Sequence, residues 1–121
     1  MASLNTMKMG EVLIANFQDS HMLDNFKIQQ LGTELLALVD RTEYGKLLLN
    51  FEHVKFMSSA MLGQLILLNK KCKADNVRLK MCHIDPNIFE VFKLMKLHKV
   101  LDIHADEATA LTAFERKGFF S

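Results

Sequence analysis

Only two cysteines, one proline and five glycines occur among these 121 residues. Cys72 and Cys82 are too few for a disulfide framework, and both lie in apolar periodic segments that suit reduced, packed thiols. That usage fits a cytoplasmic protein. The glycines are scattered, Pro86 stands alone, and no Pro/Gly/Ser-rich linker, internal repeat or low-complexity tract appears, so one domain over 1–121 is expected. An excess of one charge is missing too. Fifteen Lys and Arg against fourteen Asp and Glu leave a net charge of +1, which supplies no field for direct binding of nucleic acid or an anionic membrane. No apolar run approaches the roughly 20 residues that span a bilayer, and no charged start with an apolar core appears near Met1. Secretion and membrane insertion are both disfavoured.

Several chemistries lack their minimal equipment. A nucleotide-hydrolysing loop needs clustered glycines followed by Lys-Ser or Lys-Thr, and neither is present. Gly63, inside a helical pattern, suits close packing against a neighbouring element instead. Cys82-His83 and Asp102-x-His104 are isolated pairs, short of the three or four ligands a zinc site uses, so no metal or cofactor is expected. His21, His53, His83, His98 and His104 read as surface or loop-end residues. Ser58-Ser59 has no G-x-S-x-G setting, and the bulky Met57 and Met61 flank it where a strained nucleophile elbow needs small residues. An enzyme is therefore not expected.

What the chain does have is apolar periodicity, with half of its residues hydrophobic. Residues 11–17 are short, apolar and bounded by Gly10 and Asp19, as in a strand. From a cap at Asp24 or Asn25, Ile28, Leu31, Leu35, Leu38 and Val39 recur at helical spacing, predicting an amphipathic helix to near Gly45. The nearly continuous apolar run 47–51 predicts a strand buried on both faces at the centre of a parallel sheet. A helix carrying Leu62, Leu65, Ile66, Asn69 and Cys72 on one face follows the serines, with Lys70, Lys71 and Lys73 at its C-terminal end, where cations complement the helix dipole. The alternation over 77–82 predicts a strand with one buried face. Asp85-Pro86 starts the next helix, because Asp caps the free donors and Pro at the first position sacrifices no needed N–H. Its stripe is Ile88, Val91, Phe92 and Met95, with Phe89 alongside. A short edge strand over 101–104 and a last helix capped by Asp106, with Ala110, Leu111 and Phe114, complete an α/β pattern of alternating strands and helices.

The most informative segment is Val54-Lys55-Phe56-Met57-Ser58-Ser59-Ala60-Met61-Leu62-Gly63. There a β-type run meets a helical pattern at two serines, and a helix N-terminus favours negative charge. The serine is a helix cap, a place for a phosphate, or both. Methionine builds adaptable binding surfaces where it is exposed, which singles out Met57 and Met61.

The run from Leu47-Leu48-Leu49-Asn50-Phe51 through Phe56-Met57-Ser58-Ser59-Ala60-Met61-Leu62-Gly63 resembles the STAS domain of bacterial anti-sigma factor antagonists. That family pairs a strand of the type L-x-L-D-F with a segment like F-M-D-S-S-G-L-G. Ser58 stands in the place of the family's Asp, Ser59 in that of its phosphorylatable serine, Ala60 in that of the second serine and Met61 in that of a glycine. The strand over 77–82, the helix over 86–96 and the return over 97–103 extend the likeness to nearly the whole chain. The resemblance implies a STAS-like mixed sheet of four or five strands, with about four helices packed mainly on one side.

It also implies a function. The unmodified protein would bind a serine-kinase anti-sigma factor, release a sigma factor, and be switched off by phosphorylation at Ser59, with Ser58 as the alternative and a serine phosphatase resetting the cycle. Asp19, Met57, Ser58, Ser59, Ala60 and Met61 would form the partner surface. A second reading, prompted by Ser58 and Met61, is a STAS subunit that scaffolds a stress-sensing complex or a lipid-transport ATPase, with the serine serving only as a cap.

Overall fold

The computed structural model describes residues 4–115. It begins with a hairpin, β1 (Leu4–Met9) and β2 (Val12–Phe17), closed by Gly10 in a left-handed conformation at φ +60°. Glycine adopts this conformation without the Cβ penalty, which fits the two-residue connection. A two-residue strand β3 (His21–Met22) leads into α1 (Asn25–Arg41), then β4 (Lys46–Asn50), β5 (Phe56–Met57) and α2 (Ser59–Ala74). Next come β6 (Arg78–Cys82), α3 (Pro86–Leu94), a 3₁₀ turn at Leu97–Lys99, β7 (Ile103–His104) and α4 (Glu107–Glu115). The main sheet has the order β1-β2-β4-β6-β7, parallel except for β1. A separate parallel ribbon joins β3 to β5.

Side-chain alternation sorts this sheet into two cores. Leu13, Ala15, Phe17, Leu47, Leu49, Leu79 and Met81 face α1, α2 and α3, whereas Val12, Ile14, Leu48 and Cys82 face Ala110 and Phe114 of α4. The central β4 is therefore buried on both faces, as its unbroken apolar run predicts. Removing each such Leu from water contributes about 1.5–3 kcal/mol. Among the described residues the sheet has five strands, and three of the four helices share one side.

Some elements depart from the sequence reading, for identifiable reasons. Residues 4–9 carry no clean alternation, so β1 was not expected; it forms because β2 offers it a hydrogen-bonding edge. Helix α1 stops at Arg41, short of Gly45, where the Thr42 hydroxyl and N–H both donate to the Val39 carbonyl. Helix α3 stops at Leu94, before a left-handed Lys96, leaving Val91 and Met95 exposed. The strand over 77–82 is buried on both faces, since α4 covers the side on which Lys80 lies. The edge strand shrinks to Ile103–His104, because the Leu101 N–H is drawn back to the Leu97 carbonyl of the 3₁₀ turn at 2.8 Å. Gly63 has open space around it, and the glycine of close approach is Gly32 in α1, whose missing side chain makes room for Gln64 of α2.

Candidate functional site

The serines lie where the β3–β5 ribbon meets α2. Ser58 has extended backbone (φ −79°, ψ 168°) and serves as N-cap, its carbonyl accepting from the N–H groups of Met61 at 3.0 Å and Leu62 at 3.3 Å. Its own N–H donates to the Met22 carbonyl at 2.9 Å. The Ser58 hydroxyl makes no capping hydrogen bond, and Oγ is shielded from solvent with no partner among the described residues. Ser59, the first residue of α2, is exposed, and so is Ala60. At such a terminus the first amides have no carbonyl one turn behind them to bond, so they face outward. No acidic residue occupies the first turn of α2 to compete for that field.

The ribbon also determines what lies beside the serines. Ser20 accepts through its carbonyl from the N–H groups of Lys55 at 2.7 Å and Phe56 at 3.1 Å, and His21 stacks on Phe56 with ring centroids 6.5 Å apart. The loop carrying Asp19 is thereby tied to the segment that feeds the serine turn. Asp19 is exposed, at the rim of a cleft of about 280 Å³ shared with Ser20, His21 and Lys27. The ribbon was not legible in the sequence, because two-residue strands carry no periodicity.

The six residues expected at a partner surface separate into two groups. Asp19, Ser59 and Ala60 are exposed and Ser58 is half-buried, but Met57 is buried and Met61 is fully so. The expectation of adaptable methionine side chains at the surface is corrected: Met61 points into the core with Leu62 and Leu65, where α2 packs on the sheet. Exposed apolar side chains are supplied instead by Leu23, Phe26 and Phe56, by Val91 and Leu94 on α3, and by Met95 at its C-cap. Phe26 lies off the Ile28, Leu31 and Leu35 stripe of its helix, which is the signal in the sequence that could have identified it.

Several other polar groups have local partners, whereas the buried His98 Nδ1 has none among the described residues. The Asn50 side chain donates to Glu107 at 3.0 Å and accepts from the N–H of Glu52 at 2.9 Å, which fastens the end of β4 to α4. His104 Nε2 lies 2.9 Å from Asp102, and His98 packs edge-on against Phe89. Both are partly buried, more enclosed than the expected surface histidines. Ser20 Oγ is 2.9 Å from His21 Nδ1 on an exposed loop. Burial pushes the thiols of Cys72 and Cys82 up to about 11 and about 12, so both are neutral at ordinary pH. Among the described residues no three His, Cys, Asp or Glu side chains form a group that could hold a metal ion. None of their helices is long and apolar enough to cross a membrane.

Residues 8–110 match the model of the STAS domain. A candidate anti-sigma factor antagonist of Bordetella bronchiseptica, BtrV, is 27% identical over 108 residues, covering 89% of this chain and 90% of its own. Among solved structures, a candidate anti-sigma factor antagonist from Thermotoga maritima aligns with a TM-score of 0.81 at 15% identity, covering 93% of this chain and 95% of that one. The Bacillus cell fate determinant SpoIIAA in its phosphorylated form aligns at 0.68 and 18% identity, over 92% of this chain and 98% of its own. At these identities the two structures share the fold of this chain.

Proposed function

This chain belongs to the STAS domain family, and from that premise we propose that it is an anti-sigma factor antagonist that binds a serine-kinase anti-sigma factor and is released by phosphorylation at Ser59. The observation that carries the reading is the placement of Ser59, exposed on the first turn of α2, while its neighbour Ser58 keeps Oγ shielded from solvent. A kinase needs an accessible hydroxyl, so the contrast favours Ser59 over Ser58. The name of the Bordetella relative and the phosphorylated state of the Bacillus structure support the same class of role.

The chemistry of the switch is local. Phosphate on Ser59 adds about −1.5 to −2 charges at a helix terminus whose dipole favours them, so the fold tolerates the modification. A packed protein contact does not, because the dianion loses hydration there and repels acidic groups of the partner. The partner surface is accordingly Asp19, Ser58, Ser59 and Ala60, with Met57 and Met61 beneath it as support. The protein itself performs no chemistry in this cycle; the kinase adds the phosphate and a serine phosphatase removes it. The cycle belongs in the cytoplasm, where the two thiols remain reduced.

The test is to incubate the purified chain with kinase-type anti-sigma factors of the same genome and ATP, and to map phosphate by mass spectrometry. Modification at Ser59, with binding lost in Ser59→Asp, is the expected result. No complex with any such kinase and no modification of Ser59 would overturn the proposal.

A further inference from the structure

Beside the serine turn lies an open groove of about 240 Å³ between β5 and α3. Its floor is core: Met57, Leu62 and Ile88 are all buried. Its walls are apolar yet open to water, with Phe56 47% and Val91 41% exposed. Among the described residues Lys55 is the one charged member of the lining, and Asn87 is its other polar side chain. On α3 the apolar strip continues to Leu94, three residues beyond Val91 on the same helix surface, and then to Met95, the C-cap, whose N–H donates to the Val91 carbonyl at 3.0 Å. Adjacent exposed apolar side chains of this kind mark interaction sites.

We propose that this groove anchors one large apolar side chain of the anti-sigma partner, carried next to a carboxylate that meets Lys55. The inference rests on the partner-binding reading above and names the contact that gives it grip. Met57 directly precedes the Ser58 cap and Leu62 lies one turn into α2, so a partner seated over Ser59 also covers the groove. The lining suits that occupant: apolar floor and walls accept a side chain such as Leu or Phe, and the lone cation selects an acidic neighbour for it. Interface energy concentrates in such central, desolvated anchors. Phosphorylation then acts next to the anchor, so a charge at Ser59 and an unfilled groove are two separable ways of losing the complex.

The experiment uses the full chain and a purified kinase-type anti-sigma factor of the same genome in calorimetric titrations. Val91→Glu and Phe56→Ala, both at exposed positions, are each expected to weaken binding at least about tenfold, as an anchor site requires. Lys55→Glu should weaken it as well, while Leu67→Ala, an equally exposed apolar residue elsewhere on α2, should leave it unchanged. If Ser59→Asp abolishes binding and both groove variants bind like wild type, the groove is overturned and the switch survives. If Val91→Glu instead changes self-association in sedimentation, a second copy is the occupant and the proposal fails. A partner-free arm uses millimolar N-acetylphenylalanine, an apolar side chain beside a carboxylate, with methyl NMR as readout. Saturable shifts at Leu62, Ile88 and Val91 that vanish in Val91→Glu are expected; shifts elsewhere, or none, overturn the anchor whether or not the kinase reading holds.

Discussion

Ser58 donates its main-chain N–H to the carbonyl of Met22 at 2.9 Å, across 36 residues of sequence. This bond continues the β3–β5 pairing into the cap of α2. The serine turn is thus held by backbone, with neither serine side chain spent on holding it. That arrangement leaves Ser59 available for modification without loosening the helix.

The same relationship predicts an order of stability among the helix caps. Asp24 accepts from the Lys27 N–H through its side chain, whereas Ser58 caps only with its main chain. Asp24→Ala should therefore cost about 1 kcal/mol, the usual value of a lost cap. Ser58→Ala should stay within about 0.5 kcal/mol of wild type, because no hydrogen bond is lost. Urea unfolding midpoints check the order, and the reverse order would mean that the Ser58 hydroxyl caps in solution.

Met61 and Ala60 are neighbours with opposite fates. Met61→Ala removes a fully buried side chain and should destabilise the domain by about 2–5 kcal/mol. Ala60→Gln, at an exposed position, should change stability by less than about 0.5 kcal/mol. Thermal and urea unfolding distinguish the two; a mild Met61→Ala would show that the side chain is not core.

Cys82 predicts an alkaline limb in the stability profile. Its thiol is raised to about 12, first by burial and then by the nearby carboxylates of Glu107, Asp106 and Glu52. In the unfolded chain it ionises near about 8.5. Because the folded value is the higher one, this contribution is complete below the unfolded pKa and declines as pH rises from there toward the folded value. Cys82→Ala should flatten the decline between about pH 8.5 and 12. Thiol-specific reagents should label Cys82 only after unfolding; rapid labelling of the native protein would contradict its burial.

Lys80 sits in the buried face under α4, with Nζ 2.6 Å from Asp102 Oδ2 and 5.2 Å from the Phe114 ring centroid. Asp102 is half exposed and Lys80 is not, so the two partners are unequal. Asp102→Ala leaves a buried ammonium without its acceptor and should cost about 1–3 kcal/mol. Lys80→Met keeps the stem packed on Phe114 without the charge and should cost less. Chemical unfolding of both variants tests this; equal costs would mean that Lys80 reaches solvent when Asp102 is removed.

Most of the fold was readable from local pattern. The apolar run 47–51, the 3.6-residue stripe of α1 and the Asp85-Pro86 start each express one physical constraint within a few residues, and each appears where expected. The hairpin strand β1 and the β3–β5 ribbon were not readable, because their pairing depends on an edge or partner distant in sequence. Lys80 misled the period-2 reading for a similar reason. A lysine on an alternating strand signals a wet face until α4, about 30 residues later, brings Phe114 over it.

At the candidate site, a strand ending at paired serines and a helix beginning there are legible in the residues alone, since a cap residue and a change of hydrophobic period are local properties. Which side chains the turn presents depends on packing between elements distant in the chain. Packing of α2 on the sheet turned Met61 inward and shielded Ser58 Oγ, while Ser59 stayed in water. It also set Phe56 beside Val91, residues 35 apart, to form the groove. A helix position has a face, and which face is wet depends on what the rest of the chain brings against it.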